Sequence, residues 1–341
     1  MGFEAEGDVP DMNEPISLVA PRRSERIHIP QRTMKLFTGS ANPALGHEIA
    51  TYLGTQTSGM HIANFSDGEI YVRVKESVRG TDVFIVQPLC HPVNYHVMEL
   101  LIMLDAFKRA SAHSVTAVIP YFAYARQDRK AAGREAITSK LLADLLTTAG
   151  ATRVLAMDLH APQIQGFFNI LMDHLAATPV LVEYVRRKNF EDLVVVSPDV
   201  GGVTRARAFA KKIDAPIAII DKRRPKHNQA EILNLIGDIK GKTCLILDDL
   251  VDTAGTLTEV ARLLEREGAR EVHAYCTHGV LSGPAIERIQ DSPLTELVIT
   301  NTIPLPEEKA IPKIKVLSVA GLLGEAILRI HEDDSVSKLF E

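Results

Sequence analysis

The residues with the most chemical promise lie in Leu245-Ile-Leu-Asp-Asp-Leu-Val-Asp-Thr-Ala-Gly-Thr-Leu257. An apolar run of strand character stops at the paired carboxylates Asp248 and Asp249. A third acid, Asp252, precedes the small turn-forming residues Thr253, Ala254, Gly255 and Thr256, and an amphipathic helix follows from Leu257. A helix entered this way leaves free N–H groups and hydroxyls at its N-terminus, which stabilise a phosphate. Carboxylates repel a phosphate, but they accept hydrogen bonds from a diol or coordinate a cation. Phosphate beside diol describes a sugar phosphate. The plainer alternative is an ordinary turn with solvated acids, and it loses to three acids and a Thr-Gly-Thr cradle in nine residues.

Other segments carry related chemistry. Asp158-Leu-His160 ends a second apolar run, and strand alternation puts both side chains on one side, ready for a divalent ion or a phosphate. Asp221-Lys-Arg-Arg-Pro-Lys226 has four cations in five residues from Lys222 and reads as a mobile loop. Such cations are what phosphoryl transfer needs to offset developing charge. Phe65-Ser-Asp-Gly-Glu69 sets an aromatic and two carboxylates on a turn, and Pro120–Lys130 combines aromatics with Arg126, Gln127 and Asp128. An aromatic face can stack on a purine while carboxylates accept from its exocyclic amine. Ser197-Pro-Asp-Val-Gly-Gly202 again ends a strand with an acid, Asp199. Taken singly, Asp158 and His160 are as well read as a hydrogen-bonded polar pair, the basic run as a solvated turn, and the remaining segments are each weak evidence.

No Gly-x-Gly-x-x-Gly occurs, and Gly237-Asp-Ile-Lys-Gly241-Lys-Thr243 is one residue short of a P-loop and precedes its strand, so it reads as a turn. Apolar residues make up 46% and charged residues 24% of the 341 positions, the balance of a soluble globular protein long enough for two domains. A formal charge of −5 gives no reason to expect nucleic acid. Cys90, Cys244 and Cys276 form no pair by spacing, and no apolar run is long enough for a membrane, so a cytoplasmic location is expected.

These motifs require elements to position them. Strand candidates at 83–87, 114–120, 153–157, 193–197, 216–220, 243–247, 271–275 and 296–300 alternate with helical patterns such as 94–110 and 139–149. That alternation predicts an α/β fold of mainly parallel sheets with helices on both faces. Gly150-Ala-Thr-Arg-Val-Leu-Ala-Met-Asp-Leu-His echoes Gly241-Lys-Thr-Cys-Leu-Ile-Leu-Asp-Asp-Leu-Val, which hints at two similar doubly wound domains with the site at their carboxyl edges. Residues 1–33, rich in charge and proline, read as a mobile tail, with Met34 a candidate start of the native chain.

In order and approximate spacing, Phe65–Glu69, Ala125–Lys130, Asp158–Phe168, Asp221–Pro225 and Asp248–Thr256 resemble the ribose-phosphate pyrophosphokinase family, from about Met34 to Phe340. The Asp248 block alone points only to the wider type I phosphoribosyltransferase fold, whereas Asp158-Leu-His-Ala-Pro-Gln-Ile-Gln-Gly-Phe-Phe168 is far more specific. The resemblance implies domains at 34–176, rejoined by 323–341, and at 177–322. It implies that ATP donates its β,γ-pyrophosphoryl group to the C1 hydroxyl of ribose 5-phosphate, giving phosphoribosyl pyrophosphate and AMP. Phe65, Asp67, Gly68, Glu69, Arg126 and Gln127 would bind ATP. His160 and Asp199, with Asp158 as a further candidate, would lie near Mg²⁺. Lys222 and Arg224 would be catalytic. Arg224, Asp248, Asp249, Asp252, Thr253, Ala254, Gly255 and Thr256 would bind ribose 5-phosphate. A homohexamer and activation by inorganic phosphate are further implications. Asn169 stands where the family commonly has an acid, a departure that touches any metal or regulatory ligand inferred there. The alternatives are a regulatory relative without the chemistry and a phosphoribosyltransferase that consumes the activated sugar.

Overall fold

The computed structural model describes residues 32–223 and 232–339, with only the backbone of residues 222, 223, 232, 233 and 338. The expected tail at 1–33 therefore lies outside the described residues apart from Arg32 and Thr33. In chain order the first part comprises β1 (Met34–Thr38), α1 (Pro43–Tyr52), β2 (Met60–Asn64), β3 (Ile70–Val74), β4 (Asp82–Val86), α2 (Val93–Arg109), β5 (Ser114–Ile119), α3 (Thr138–Ala149), β6 (Arg153–Met157) and β7 (Leu171–Leu175). There follow α4 (Thr178–Lys188), β8 (Leu193–Ser197), α5 (Val203–Lys212), β9 (Ile217–Arg223), β10 (Ile232–Ile236), β11 (Thr243–Val251) and α6 (Gly255–Arg266). The last elements are β12 (Glu271–Gly279), α7 (Ala285–Gln290), β13 (Glu296–Thr300), β14 (Ile314–Leu317) and α8 (Ala320–His331).

The strands form a five-stranded parallel sheet, ordered β1-β4-β5-β6-β7, and a seven-stranded sheet, ordered β10-β9-β8-β11-β12-β13-β14. In the larger sheet only β10 runs antiparallel, beside β9. The antiparallel hairpin β2–β3 stands apart from both. The fold is thus the expected α/β arrangement of two mainly parallel sheets. Strands such as Asp82-Val-Phe-Ile-Val86 are buried at every position, because helices cover both faces.

Strand alternation divides each core in two. Phe37, Val83, Ile85 and Ala117 face α2 and α3, while Leu36, Phe84, Val86 and Val118 face α1 and α8. Helix α8 therefore returns the end of the chain to the first sheet, through Val319, Leu323 and Ile327. In the larger sheet Val194, Cys244, Ile246 and Ala274 face α6, and Val195, Leu245, Tyr275 and Val298 face α4 and α5. All three cysteines are free and buried within these cores. From Thr33 onward the described residues form one compact unit. Among them no helix is long and apolar enough to cross a membrane.

Three local expectations are corrected. Strand β11 does not stop at the paired acids but continues to Val251, with Asp248 opposite Cys276 and Leu250 opposite His278 of β12. Asp221–Arg223 belong to β9 and pair with β10, so the basic segment begins as strand instead of loop. Strand β6 ends at Met157, and Asp158 takes a left-handed φ of 37°, which breaks the alternation assumed for Asp158 and His160. The P-loop-like segment is indeed the turn between β10 and β11, with Gly237 and Gly241 at positive φ.

At the far end of the larger sheet, Glu296 on β13 is buried, and burial alone would raise its pKa. The approach of His273 and hydrogen bonds from Lys188 (3.0 Å) and Tyr184 (2.9 Å) outweigh burial and hold it at about 2. A carboxylate held down in this way stabilises the fold above its unfolded pKa, and the stabilisation is lost as pH falls towards the folded value. Glu296→Gln should therefore lose on the order of 2–3 kcal/mol at neutral pH. Its deficit against the parent protein should close between about pH 4.5 and pH 2 in denaturant titrations; a constant deficit would contradict this account.

Candidate active site

The carboxyl ends of the two sheets face each other, and the polar residues found there bridge them. His278 on β12 is buried, and burial lowers its pKa, so the ring is neutral. A carbonyl only accepts, so Nε2 donates to Met157 O (3.1 Å) at the end of β6, and Nδ1 accepts from the Thr302 hydroxyl (2.9 Å). Asp158 Oδ2 accepts from Ala177 N (2.9 Å) and from the Thr277 hydroxyl (2.6 Å). Its left-handed backbone is fixed by these partners, which leaves Asp158 a brace between sheets more than an open ligand. Residues from both halves, including Tyr121, Arg126, His160, Asp249 and His278, line one concavity at this junction.

Two ion pairs span it. His160 Nδ1 lies 2.7 Å from Asp249 Oδ2, and Arg126 Nη1 lies 2.6 Å from Asp252 Oδ2. Asp249 is 3% exposed. Burial pushes its pKa up, but the His160 hydrogen bond and the Arg205 charge outweigh burial and hold it far below the usual carboxylate range. The same bond raises the pKa of His160. Asp248 moves the other way, pushed well up by burial and by its neighbour Asp249. Although β11 continues through both acids and their Cβ atoms alternate, the carboxylates meet each other and share Arg205, so Asp249, which also has His160, is held ionised at the expense of Asp248. For Asp252, burial opposes ionisation, but the Ser282 hydroxyl and Arg126 prevail and lower its pKa.

Beyond Asp252 the chain turns through Thr253 into α6. Ala254 takes a φ of 58°, and no side chain caps the helix, so the first N–H groups of α6 point outward beside exposed Thr253 and Thr256. Arg288 anchors the turn by donating to Thr253 O (3.0 Å). A helix N-terminus with hydroxyls around it is an anion cradle. Gln127 accepts from the Thr138 hydroxyl (2.5 Å) at the start of α3. Phe65, Asp67, Gly68 and Glu69 form the exposed tip of the β2–β3 hairpin, where Phe65 packs edge-on against Tyr71. Among the described residues no hydrogen bond or ion pair joins this tip to the His160–Asp249 pair. The Lys222 side chain and Arg224 lie outside the described residues.

Among the described residues no group of three or more His, Cys, Asp or Glu side chains could hold a metal ion. His160 spends Nδ1 on Asp249 and has Nε2 left on a partly exposed side chain, and Asp199 has one carboxylate oxygen beyond the one that accepts from Gly202 N (2.8 Å). Donors this sparse do not fit an all-protein cage. They fit Mg²⁺, which keeps waters and takes oxygens from substrate phosphates.

Family models for the "N-terminal domain of ribose phosphate pyrophosphokinase" and the "Phosphoribosyl synthetase-associated domain" match residues 34–150 and 224–341. The ribose-phosphate pyrophosphokinase of Caldanaerobacter subterraneus subsp. tengcongensis is 63% identical over 309 residues, covering 90% of this chain and 98% of the relative. The Bacillus subtilis relative is 59% identical over 309 residues, at 91% and 98% coverage. The chain belongs to the ribose-phosphate pyrophosphokinase family. Its fold agrees with the crystal structure of phosphoribosylpyrophosphate synthetase from Mycobacterium smegmatis, with a TM-score of 0.85 and 43% identity over 89% of this chain and all of that one. Membership at this identity and coverage makes the chain an enzyme of phosphoribosyl pyrophosphate synthesis, which sets aside the transferase alternative.

Sequence reasoning did not single out Arg205, Ser282 or Arg288. Arg205 Nη1 donates to Asp249 Oδ1 (2.9 Å) and to Asp248 Oδ1 (3.3 Å). It lies in the first turn of α5, directly after the Asp199-Val-Gly-Gly segment, so following that motif one helical turn further would have reached it.

Ala254 generates a prediction. An alanine at this φ carries strain of roughly 1–2 kcal/mol that glycine lacks. Ala254→Gly should be more stable than the parent, and Ala254→Val, branched at Cβ, less stable. Denaturant titration in the absence of ligands distinguishes them, and equal stability of all three would remove the strain argument.

Proposed function

We propose that this junction joins Mg-ATP and ribose 5-phosphate, with the nucleotide on the first sheet's side and the sugar phosphate on the larger sheet's side. The observation that carries the proposal is the pair of bridges His160–Asp249 and Arg126–Asp252. Each joins a residue of the nucleotide side to an acid of the Asp248–Thr256 segment, so the two substrates would meet along the line of these contacts.

The 5-phosphate sits at the N-terminus of α6, where Thr253, Ala254, Gly255 and Thr256 supply N–H groups and hydroxyls. Asp252, freed from Arg126, borders it. Asp248 takes the ribose diol. Asp249, with both oxygens engaged by His160 and Arg205, supports that acid from within. Phe65, Asp67, Gly68 and Glu69 hold adenine, with Arg126 and Gln127 along the nucleotide. The C1 oxygen attacks the β-phosphorus as the bond to the α-phosphate bridging oxygen breaks and AMP leaves with that electron pair. The hydroxyl proton departs to solvent or a phosphate oxygen. Such a displacement requires alignment and positive charge more than a covalent nucleophile. Lys222 and Arg224 would supply that charge to the transferring group. Mg²⁺, held by His160 and Asp199 with substrate phosphates, would neutralise charge on the polyphosphate.

We further place the folding units at 34–176 with 323–341, and at 177–322. A homohexamer activated by inorganic phosphate and located in the cytoplasm completes the proposal, with neither nucleic acid nor membrane among its partners.

Incubating the protein with ribose 5-phosphate, ATP and Mg²⁺ should produce AMP and phosphoribosyl pyrophosphate in equal amounts. No AMP under any condition would favour a regulatory relative. Lys222→Ala should lower kcat by roughly 10²–10³-fold with an unchanged melting temperature, and near-normal turnover would remove Lys222 from the mechanism.

A further inference from the structure

Asp248 and Asp249 are neighbours on β11, and adjacent strand residues point to opposite faces. A single nitrogen of Arg205 nevertheless reaches both, at 3.3 and 2.9 Å. Its guanidinium comes from the first turn of α5, so it links the Asp199 segment to the paired acids. The two acids then differ in what they have left to offer. Asp249 gives Oδ1 to Arg205 and Oδ2 to His160, and it is almost fully buried. Asp248 gives Oδ1 to Arg205 and to Asp249 N (2.8 Å). Apart from the Asp249 carboxylate beside it, no described group is hydrogen-bonded to its Oδ2, and the side chain is about one-third exposed (32%).

We propose that Arg205 is a positioning residue that acts through Asp248: by holding Oδ1, it aims Oδ2 at the vicinal hydroxyls of ribose 5-phosphate. This rests on the reading of the Asp248 segment as the sugar site. Two adjacent carboxylates repel each other, and without a shared cation Asp248 would turn into the solvent beside it. Arg205 engages Oδ1 of each acid, so its charge fixes their direction without taking the oxygen that the sugar requires. The consequence is selectivity: affinity for ribose 5-phosphate, and its preference over 2-deoxyribose 5-phosphate, depend on Arg205, whereas affinity for ATP does not.

The test compares the parent protein with Arg205→Met, which keeps the stem and removes charge and donors, and with Arg205→Lys. Arg205→Met should raise KM for ribose 5-phosphate by about 10-fold or more, the range for loss of a hydrogen bond to a charged group. KM for ATP should change by less than about 3-fold, and the preference for ribose over 2-deoxyribose 5-phosphate should shrink. Arg205→Lys should recover part of both losses. Parallel rises in both KM values would mean a merely structural arginine, and an unchanged ribose 5-phosphate KM would overturn the proposal outright. If Arg205→Met fails to fold, Arg205→Gln and Arg205→Lys supply the same comparison. If the parent protein makes no AMP, the proposed function fails by itself. Calorimetric binding of ribose 5-phosphate to the same variants then decides the role of Arg205.

Discussion

A carboxylate removed from water must be paired or it takes up a proton, and Asp249 is paired from two directions. His160 arrives from the loop after β6 in the first sheet, and Arg205 from the helix after β8 in the second. The two partners contribute differently. His160 is 42% exposed on its side chain, so solvent screens its contribution, while Arg205 divides its charge between two acids. Both contributions reach this acid because the two sheets present their carboxyl ends to one another. Parallel strands make that arrangement attainable, because all of their carboxyl ends gather on one edge.

The contacts around Asp249 keep that edge-to-edge arrangement rigid. His278 is neutral and buried, and its one donor ties β12 to the end of β6 while Thr302 occupies its acceptor. Asp158 repeats the device in the other direction, from the first sheet to Thr277. Both bridges consist of groups that would be costly to leave unpaired in the interior. The Arg126–Asp252 bridge is different, because Arg126 is half exposed and a pair of that kind contributes little to stability. The site thus combines bridges too costly to open with one that is cheap to exchange for a substrate.

How much of this was legible in the sequence follows from the range of the interactions. The alternation of buried strands and helices is local, and it gave the fold class correctly. The acids, the turn and α6 lie within one βα unit, so their juxtaposition could be read from spacing. β7 was not anticipated, since Asp173 and His174 interrupt its apolar pattern. Their partners are Arg153 and Leu159 N, which no local rule connects to them. The turn of Asp158 away from strand geometry depends on Ala177 and Thr277, the latter 119 residues on. Arg205 was missed for a related reason. Its helix shows which face is polar, but only the sheet order β8-β11 puts that face over Asp248 and Asp249.

The same order explains why the paired acids are not equivalent. Had β11 ended at Leu247, both side chains would emerge on a flexible loop, free to bind a diol or a metal together. By pairing with β12 through Val251, the strand holds them on opposite faces. One acid is driven into the junction, where it fastens the halves, and the other stays at the cleft with an oxygen to spare. An acidic dipeptide that looks symmetrical in sequence is divided by the pleat into a structural carboxylate and a binding one. The division costs nothing in backbone hydrogen bonding, since the ladder that separates the acids is the one that holds the sheet together.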